Sequence, residues 1–555
     1  MTIAAVGCGG SSGSDGDGAS ASRAADAVVY GRIWTGDTAQ PWVEAVAIGG
    51  SVIAAAGTRA DIERHVGPNT TVLDNGDAMV APGFIDSHVH FLSGGQQLAS
   101  VDLRDASTPA EFTRRLAEFA STLEPGEWIT GGDWDHEMWG GELPERTWFD
   151  SVTPDNPVFV NRLDGHMAVA NSAALRAAGV DRSTRDVEGG TIIRDGAGAP
   201  TGLLKDEAMG LVSRHVPPLS DAQADSALAR AMAWAASKGV TAVAAVSVGR
   251  TELAALDRAH DRGALTTRIS AYPFLEGWRA VADRVRERGP GDEWLRVAGV
   301  KAFMDGSLGS TTAWFYEPYD DEPTHTGLVV TPLDSMREWM HDADSAGLQL
   351  VIHAIGDRAN AWLLDEFAAV AEANGQRDRR WRVEHAQHLR AAEIPRFAEL
   401  GVVPSMQPYH AADDGRWAEK RIGPERIRTT YAFRSLLDAG ARLAFGSDWT
   451  VAPLDPILGI HAAVTRRTID GANPDGWVPE ERITVEEALG AYTANSAYGT
   501  FADDRRGIIR PGYDADLVLL DRDLTRIPPG ELDQARVRRT MVAGRTVFTA
   551  DSTAR

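Results

Sequence analysis

Two histidines stand two residues apart in Pro82-Gly83-Phe84-Ile85-Asp86-Ser87-His88-Val89-His90. In an extended segment that spacing turns both imidazoles to one side, where they can grip a single cation. Alone, a His-x-His pair is a weak signal, because unrelated polar loop residues produce it about as often. Other groups of suitable chemistry end other strand-like runs: His353 in Leu350-Val351-Ile352-His353, His385 in Arg382-Val383-Glu384-His385, and Asp448 in Phe445-Gly446-Ser447-Asp448. Lys301, in Val300-Lys301-Ala302-Phe303, joins them. It is one of only four lysines (Lys205, Lys238, Lys301 and Lys420) among 55 Lys and Arg residues, so an unremarkable positive charge here would usually be an arginine. A lysine among apolar residues can lose its proton by desolvation and react with carbon dioxide. The resulting carbamate has two oxygens that bridge two metals, chemistry that a guanidinium does not offer. A snorkelling or ion-paired lysine is the plainer alternative.

Two cations held by such groups lower the pKa of a bridging water enough to supply hydroxide near neutral pH, and polarise the carbonyl it attacks. Asp448, ionised beside metal charge, can accept the water proton and pass it to the departing nitrogen. The only cysteine is Cys8, which excludes an internal disulfide framework and a thiolate cluster, so the ligands must be nitrogen and oxygen donors.

Such a set converges only if a fold gathers distant strand ends. Eight strand-like runs are legible: Met79 to Ile85, Val240 to Val246, Arg268 to Phe274, Leu295 to Phe303, Leu348 to Ile355, Trp381 to His385, Val402 to Gln407 and Arg442 to Phe445. Helical stretches such as Asp221 to Ser237 and Asn360 to Ala373 separate several of them, which is the grammar of an α/β protein built on a (β/α)₈ TIM barrel. A barrel brings the C-terminal strand ends onto one face. Short β-rich runs at 27–80 and again at 505–550 predict a small composite β-sandwich domain built from both chain ends. The barrel would occupy 81–504, with an insertion at about 91–216 over its mouth, because the gap between the first two runs far exceeds one βα unit.

His166, in Leu163-Asp164-Gly165-His166-Met167, is a second catalytic candidate that could orient substrate from the insertion; a structural role weighs equally. Asp357 and Glu384 read as partners that orient the metal histidines. Trp128, Trp134, Trp139 and Trp148 form either an apolar substrate wall or packing inside the insertion. His136, His260 and His410 receive no role.

The composition, 43% hydrophobic and 24% charged, is that of a globular chain able to bury a large core. A net charge of -24 repels phosphate backbones and anionic lipid, which argues against a nucleic-acid partner. No apolar run is long enough to span a bilayer. A small-molecule substrate is the expected partner, and a homodimer stays open. Ala5-Val6-Gly7-Cys8, followed by Gly/Ser/Asp-rich sequence to Ser22, resembles a bacterial lipobox and tether, but with too little before it unless the true start lies upstream of Met1. The expectation is a membrane-anchored lipoprotein in that case, and otherwise a cytoplasmic protein with a disordered tail at 1–26.

From about Ala27 to about Thr549 the sequence resembles the amidohydrolase superfamily, in the branch called amidohydrolase family 3 that includes N-substituted formamide deformylases. The resemblance rests on Ala81 to His90, Asp164-Gly165-His166 with Asn171, and Lys301-Ala302-Phe303-Met304-Asp305-Gly306-Ser307. It rests further on His353-Ala354-Ile355-Gly356-Asp357, Val383-Glu384-His385-Ala386-Gln387, Gly446-Ser447-Asp448, and Gly507-Ile508-Ile509-Arg510-Pro511-Gly512 with Ala515-Asp516-Leu517-Val518. It implies that His88 and His90 hold a first metal, that Lys301 bridges as a carbamate, and that His353 and His385 hold a second. Asp448 would touch the first metal and act as base, with two zinc ions as cofactors. The expected activity is hydrolysis of a non-peptide C–N bond, in a linear amide or N-substituted formamide. An esterase, lactonase or phosphotriesterase on the same site is the alternative, and an inactive scaffold is a third reading, disfavoured because all six ligands are present. One departure is the second run, Val240-Thr241-Ala242-Val243-Ala244-Ala245, where relatives often carry His and Asp or Glu.

Overall fold

A computed structural model describes residues 24–163, 165, 167–187 and 190–550. Cys8 and His166 lie outside the described residues. Both chain ends enter one seven-stranded sheet. Ala27–Trp34, Trp42–Gly49, Val52–Gly57 and Thr71–Pro82 come from one end, and Leu517–Leu520, Val537–Val542 and Arg545–Thr549 from the other. The join is antiparallel, with Leu517 opposite Pro82 and Leu519 opposite Val80. Alternating residues of the first strand explain why the run reads as uniformly apolar. Val29 and Ile33 pack on one face with Ile48 and Leu517, while Val28 and Tyr30 pack on the other with Ala45 and Ile62.

The first expected run is divided. Thr71–Pro82 belongs to the terminal sheet, and the chain turns at Gly83 into a new strand, Phe84–Val89. Any Cβ at Gly83 would collide with the Thr241 side chain, so only glycine lets the two elements approach there. Phe84–Val89, Val240–Val248, Arg268–Pro273 and the short Leu295–Arg296 form one parallel sheet. Gly299–Phe303, Gln349–Ala354, Arg382–His385, Val403–Met406 and Ala444–Phe445 form a second. Single parallel bridges, Val89 to Trp449 and Phe274 to Lys301, lie between the two sheets. The alternation of parallel strands with helices makes this an α/β fold of the TIM-barrel type.

The helices follow from apolar spacing. Asp221–Ser237 buries Ala224, Ala227, Leu228, Ala231, Met232 and Ala235, a stripe at three- and four-residue intervals. Ser220 and Gln223 close its N-terminus as a capping box. Asp357–Asn374 buries Leu363, Leu364, Phe367 and Val370 in the same way.

The long insertion contains a six-stranded sheet made of Val101–Asp102, Ile129–Trp134, Val158–Arg162, Met167–Ala170, Gly190–Arg194 and Pro200–Asp206. Its tryptophans serve its own core. Trp134 is fully buried, with Nε1–H donating to the Val160 carbonyl at 2.9 Å, and Trp139 and Trp148 pack edge-on against Phe112. Trp128 packs against a second cluster around Phe159 and Leu204. Arg104 fastens the insertion to the loop after the last parallel strand, donating to the carbonyls of Thr450 at 2.8 Å and Val451 at 3.0 Å. Among the described residues no helix is long and apolar enough to cross a membrane.

Candidate metal centre

His88 sits in Phe84–Val89, and His90 follows as the residue that starts helix Phe91–Gln97. Lys301 lies in Gly299–Phe303, His353 in Gln349–Ala354, His385 ends Arg382–His385, and Asp448 comes three residues after Ala444–Phe445. His385 (φ 72°) and Asp448 (φ 59°) both adopt left-handed backbone that side chains other than glycine rarely take. Such conformations persist where the surroundings over-determine them. Here Asp448 N–H donates to the His88 carbonyl at 2.7 Å, and Asp86 Oδ1 accepts from the N–H groups of His88 and Ser447, each at 3.0 Å. The first and last strands are thereby tied together at the point where their ligand candidates emerge.

Asp448 Oδ1 is 3.3 Å from Nε2 of His88 and 3.2 Å from Nε2 of His90. Ligands about 2.0–2.2 Å from a tetrahedral zinc are separated from one another by roughly 3.3–3.6 Å, so the Asp448 oxygen stands at about ligand spacing from both nitrogens. The His385 ring lies 4.4 Å from that of His353 and 4.9 Å from that of His88, centroid to centroid. His353 Nε2 is 3.0 Å from the Gly306 carbonyl and donates to it, which leaves the Nδ1 lone pair for a cation. Lys301 is fully buried, with Nζ 4.5 Å from the Phe303 ring centroid.

Four sealed polar atoms of this cluster have no hydrogen-bond partner among the described residues: Lys301 Nζ, His385 Nδ1, His410 Nε2 and Asp448 Oδ1. Burying polar atoms unpaired is costly, and their concentration here matches the nitrogen and oxygen donor set of a divalent cation site. His410 was not among the residues singled out from sequence. It lies in Pro408–Asp414, the helix that follows Val403–Met406, so the strand-end rule that picked out the others could have found it. Two triads share Asp448: His88 with His90, and His385 with His410.

Charged neighbours set the electrostatics. The Glu384 carboxylate meets His88 Nδ1, accepts from Ser405 Oγ at 2.9 Å, and takes Arg382 Nε at 2.8 Å on its other oxygen. Burial alone would raise Glu384, but Arg382 and then His88 hold it down to about 2. Burial would likewise raise Asp448, yet His88, His90 and His385 keep it well below the usual carboxylate range. Burial would lower His88, and Asp448 and Glu384 outweigh it and raise the ring. Lys301 is pulled down to about 8 by burial, against the opposing pull of Glu384 and Asp448. Burial first, and then Lys301, lowers His353 to about 3, and His385 is also lowered, so each ring is neutral near pH 7, with one N–H and one nitrogen lone pair for a metal.

Of the two carboxylates expected to orient histidines, Glu384 contacts His88, whereas Asp357 does not reach His353. Asp357 Oδ1 accepts from the Tyr316 N–H at 3.0 Å, as an acidic residue in the first turn of Asp357–Asn374. The carboxylate beside His353 is Asp305, 3.6 Å from Nε2, which also accepts from the N–H groups of Trp314, Ile355 and Gly356 at 2.7 to 2.9 Å. Val240–Val248, as its sequence indicates, brings no metal-ligating side chain to the cluster.

The chain matches the model of the amidohydrolase family over residues 71–548. It is 41% identical over 507 residues to Protein LONG AFTER FAR-RED 3 of Arabidopsis thaliana, covering 89% of this chain and 86% of that protein. It is 29% identical to N-substituted formamide deformylase of Arthrobacter pascens, covering 93% and 97% respectively. The crystal structure of an uncharacterized metal-dependent hydrolase from Pyrococcus horikoshii superposes with a TM-score of 0.75 at 29% identity, covering 91% of this chain and 99% of that one. With its buried His and Asp donors gathered at the strand ends, the chain belongs to the amidohydrolase family and is a metal-dependent hydrolase.

Proposed function

We propose that the protein hydrolyses a non-peptide C–N bond, in a linear amide or an N-substituted formamide, with two zinc ions. The observation that carries this reading is Asp448, a buried, ionised carboxylate whose Oδ1 is within 3.3 Å of two imidazole nitrogens. The near full-length similarity to a formamide deformylase supports the substrate class. His88, His90 and Asp448 would hold one cation, and His353 and His385 a second, with Lys301 shared as a carbamate. Lys301 favours that modification because burial pulls its amine down to about 8, so that about a tenth of it is uncharged at pH 7, and only the free amine adds to carbon dioxide. Cations bound there would acidify water and polarise the substrate carbonyl. Asp448 takes the proton released by the attacking water and delivers it to the departing nitrogen, so that water and amide become carboxylic acid and amine. Glu384 fixes the His88 ring, and Gly306 fixes that of His353.

In this reading the two parallel sheets are the halves of one closed (β/α)₈ barrel at 81–504. Residues 27–80 and 505–550 form the composite domain, and the insertion covers the mouth. The deciding experiment is metal analysis of the purified protein joined to a screen of N-substituted formamides, N-acyl amines, esters and lactones. Turnover of formamides or amides by zinc-loaded protein, lost with chelator, is the expected result. Turnover confined to esters or lactones would overturn the C–N assignment.

A further inference from the structure

We infer that His410 is itself a ligand of a divalent cation at this centre, acting with His385 and Asp448. The inference rests on the metal-centre reading above and adds to it a residue from the segment after the seventh parallel strand.

His410 lies in the first turn of Pro408–Asp414, where its N–H donates to the Gln407 carbonyl at 3.1 Å. Among the described residues its Nε2 is sealed from solvent and has no hydrogen-bond partner, and Asp448 Oδ2 lies 3.8 Å from it. That distance is too long for a hydrogen bond. It exceeds the roughly 3.3–3.6 Å expected between two zinc ligands by only a few tenths of an ångström, within reach of a small side-chain rotation. The ring lies nearly parallel to that of His385, 10° between planes and 6.1 Å between centroids, and one donor atom from each of His385, His410 and Asp448 falls within 4.8 Å of the others.

A neighbouring histidine shows what a purely structural role looks like. His388 is buried more deeply than His410, and both its ring nitrogens are engaged, Nε2 by Gln387 at 3.1 Å and Nδ1 by Thr430 Oγ1 at 2.8 Å. His410 lacks such partners at the nitrogen that faces the cluster. Asp448 then presents Oδ1 to His88 and His90 and Oδ2 to His410, one carboxylate facing both ligand groups.

The test uses the full-length protein loaded with zinc or cobalt(II). His410→Gln is expected to bind one of its two cations at least about tenfold more weakly in a chelator competition, in the range seen when metal-site residues are lost. The cobalt(II) absorption bands should shift, with the folded state checked by thermal melting. His410→Asp, which supplies an anionic carboxylate oxygen in place of the weaker neutral amide oxygen, should recover part of that affinity. A crystal structure of the zinc-loaded wild type should place Nε2 about 2.0–2.1 Å from a metal. Retention of both cations at wild-type affinity with an unchanged cobalt(II) spectrum in His410→Gln would overturn the inference, as would a zinc-loaded structure with His410 outside the coordination sphere. Wild-type protein that takes up no cation would instead sink the proposed function.

Discussion

The Glu384 carboxylate is lodged between Nδ1 of His88 and Nε of Arg382, so one buried anion fixes the His88 ring and neutralises a buried guanidinium at once. Ser87 and Ser405 complete the arrangement. Arg382 Nη2 donates to the Ser87 carbonyl, and the two serine hydroxyls are 2.9 Å apart. Glu384→Gln keeps the shape and removes the charge. The expected result is a 10- to 100-fold loss of cation affinity, measured by chelator competition. Denaturant unfolding in excess chelator should also show a stability loss of about 3–5 kcal/mol, because Arg382 is left buried without its counter-ion. Unchanged affinity would mean that the His88 ring is held by packing alone.

Lys301 offers a chemical test. Lys301→Ala should abolish turnover and recover part of it when short-chain carboxylic acids are supplied, since a free carboxylate can occupy the place of the proposed carbamate. Lys301→Arg cannot form a carbamate. Normal metal content and normal rate in Lys301→Arg would show that the side chain does not bridge, and mass spectrometry of the native protein for a labile carbon dioxide adduct gives an independent reading.

The ligand candidates were legible because each stands at a strand end in its own sequence neighbourhood, and a parallel fold converts that local position into a shared face. His410 lies as far past its run as Asp448 lies past its own, but Pro408 opens a helix there, and a histidine inside helical sequence carries no local mark of a ligand. Asp357 is near His353 along the chain, but nearness along the chain does not decide which carboxylate faces a ring, and Asp305 faces it instead. The network around Glu384 joins residues up to 318 positions apart, and no periodicity or propensity encodes those pairs. The division at Gly83 was hidden for a related reason. The apolar text is continuous across it, and the close approach of Thr241 that demands glycine is a tertiary fact.

Glu252 is a buried carboxyl outside the cluster, on helix Arg250–Asp261, with its Oε1 accepting from the Leu92 N–H at 3.2 Å. Burial raises it to about 7 from an ordinary value of 4.5. A raised carboxyl pKa means that the folded protein retains a proton that the unfolded chain has released, so this group destabilises progressively as pH rises from about 4.5 through about 7. Glu252→Gln removes that slope. At pH 8 the variant should be more stable than wild type by up to about 3 kcal/mol, and the gap should close towards pH 4.5. Equal stability differences at pH 5 and pH 8, measured by denaturant unfolding, would exclude the buried carboxyl as the source.

Asp448→Asn bears on the proton transfer itself. Asparagine preserves the backbone-borne position beside His88 and His90 and can still offer one oxygen to a cation, but it neither carries the negative charge nor accepts a proton. A group that moves a proton only on the way through the transition state contributes to turnover rather than to ground-state binding. With metal content confirmed, kcat should fall by at least about a hundredfold while KM for the same substrate changes little. A parallel rise in KM would point to a lost substrate contact. Asp448→Asn protein that retained its cations and most of its kcat would show that the proton is carried by another group.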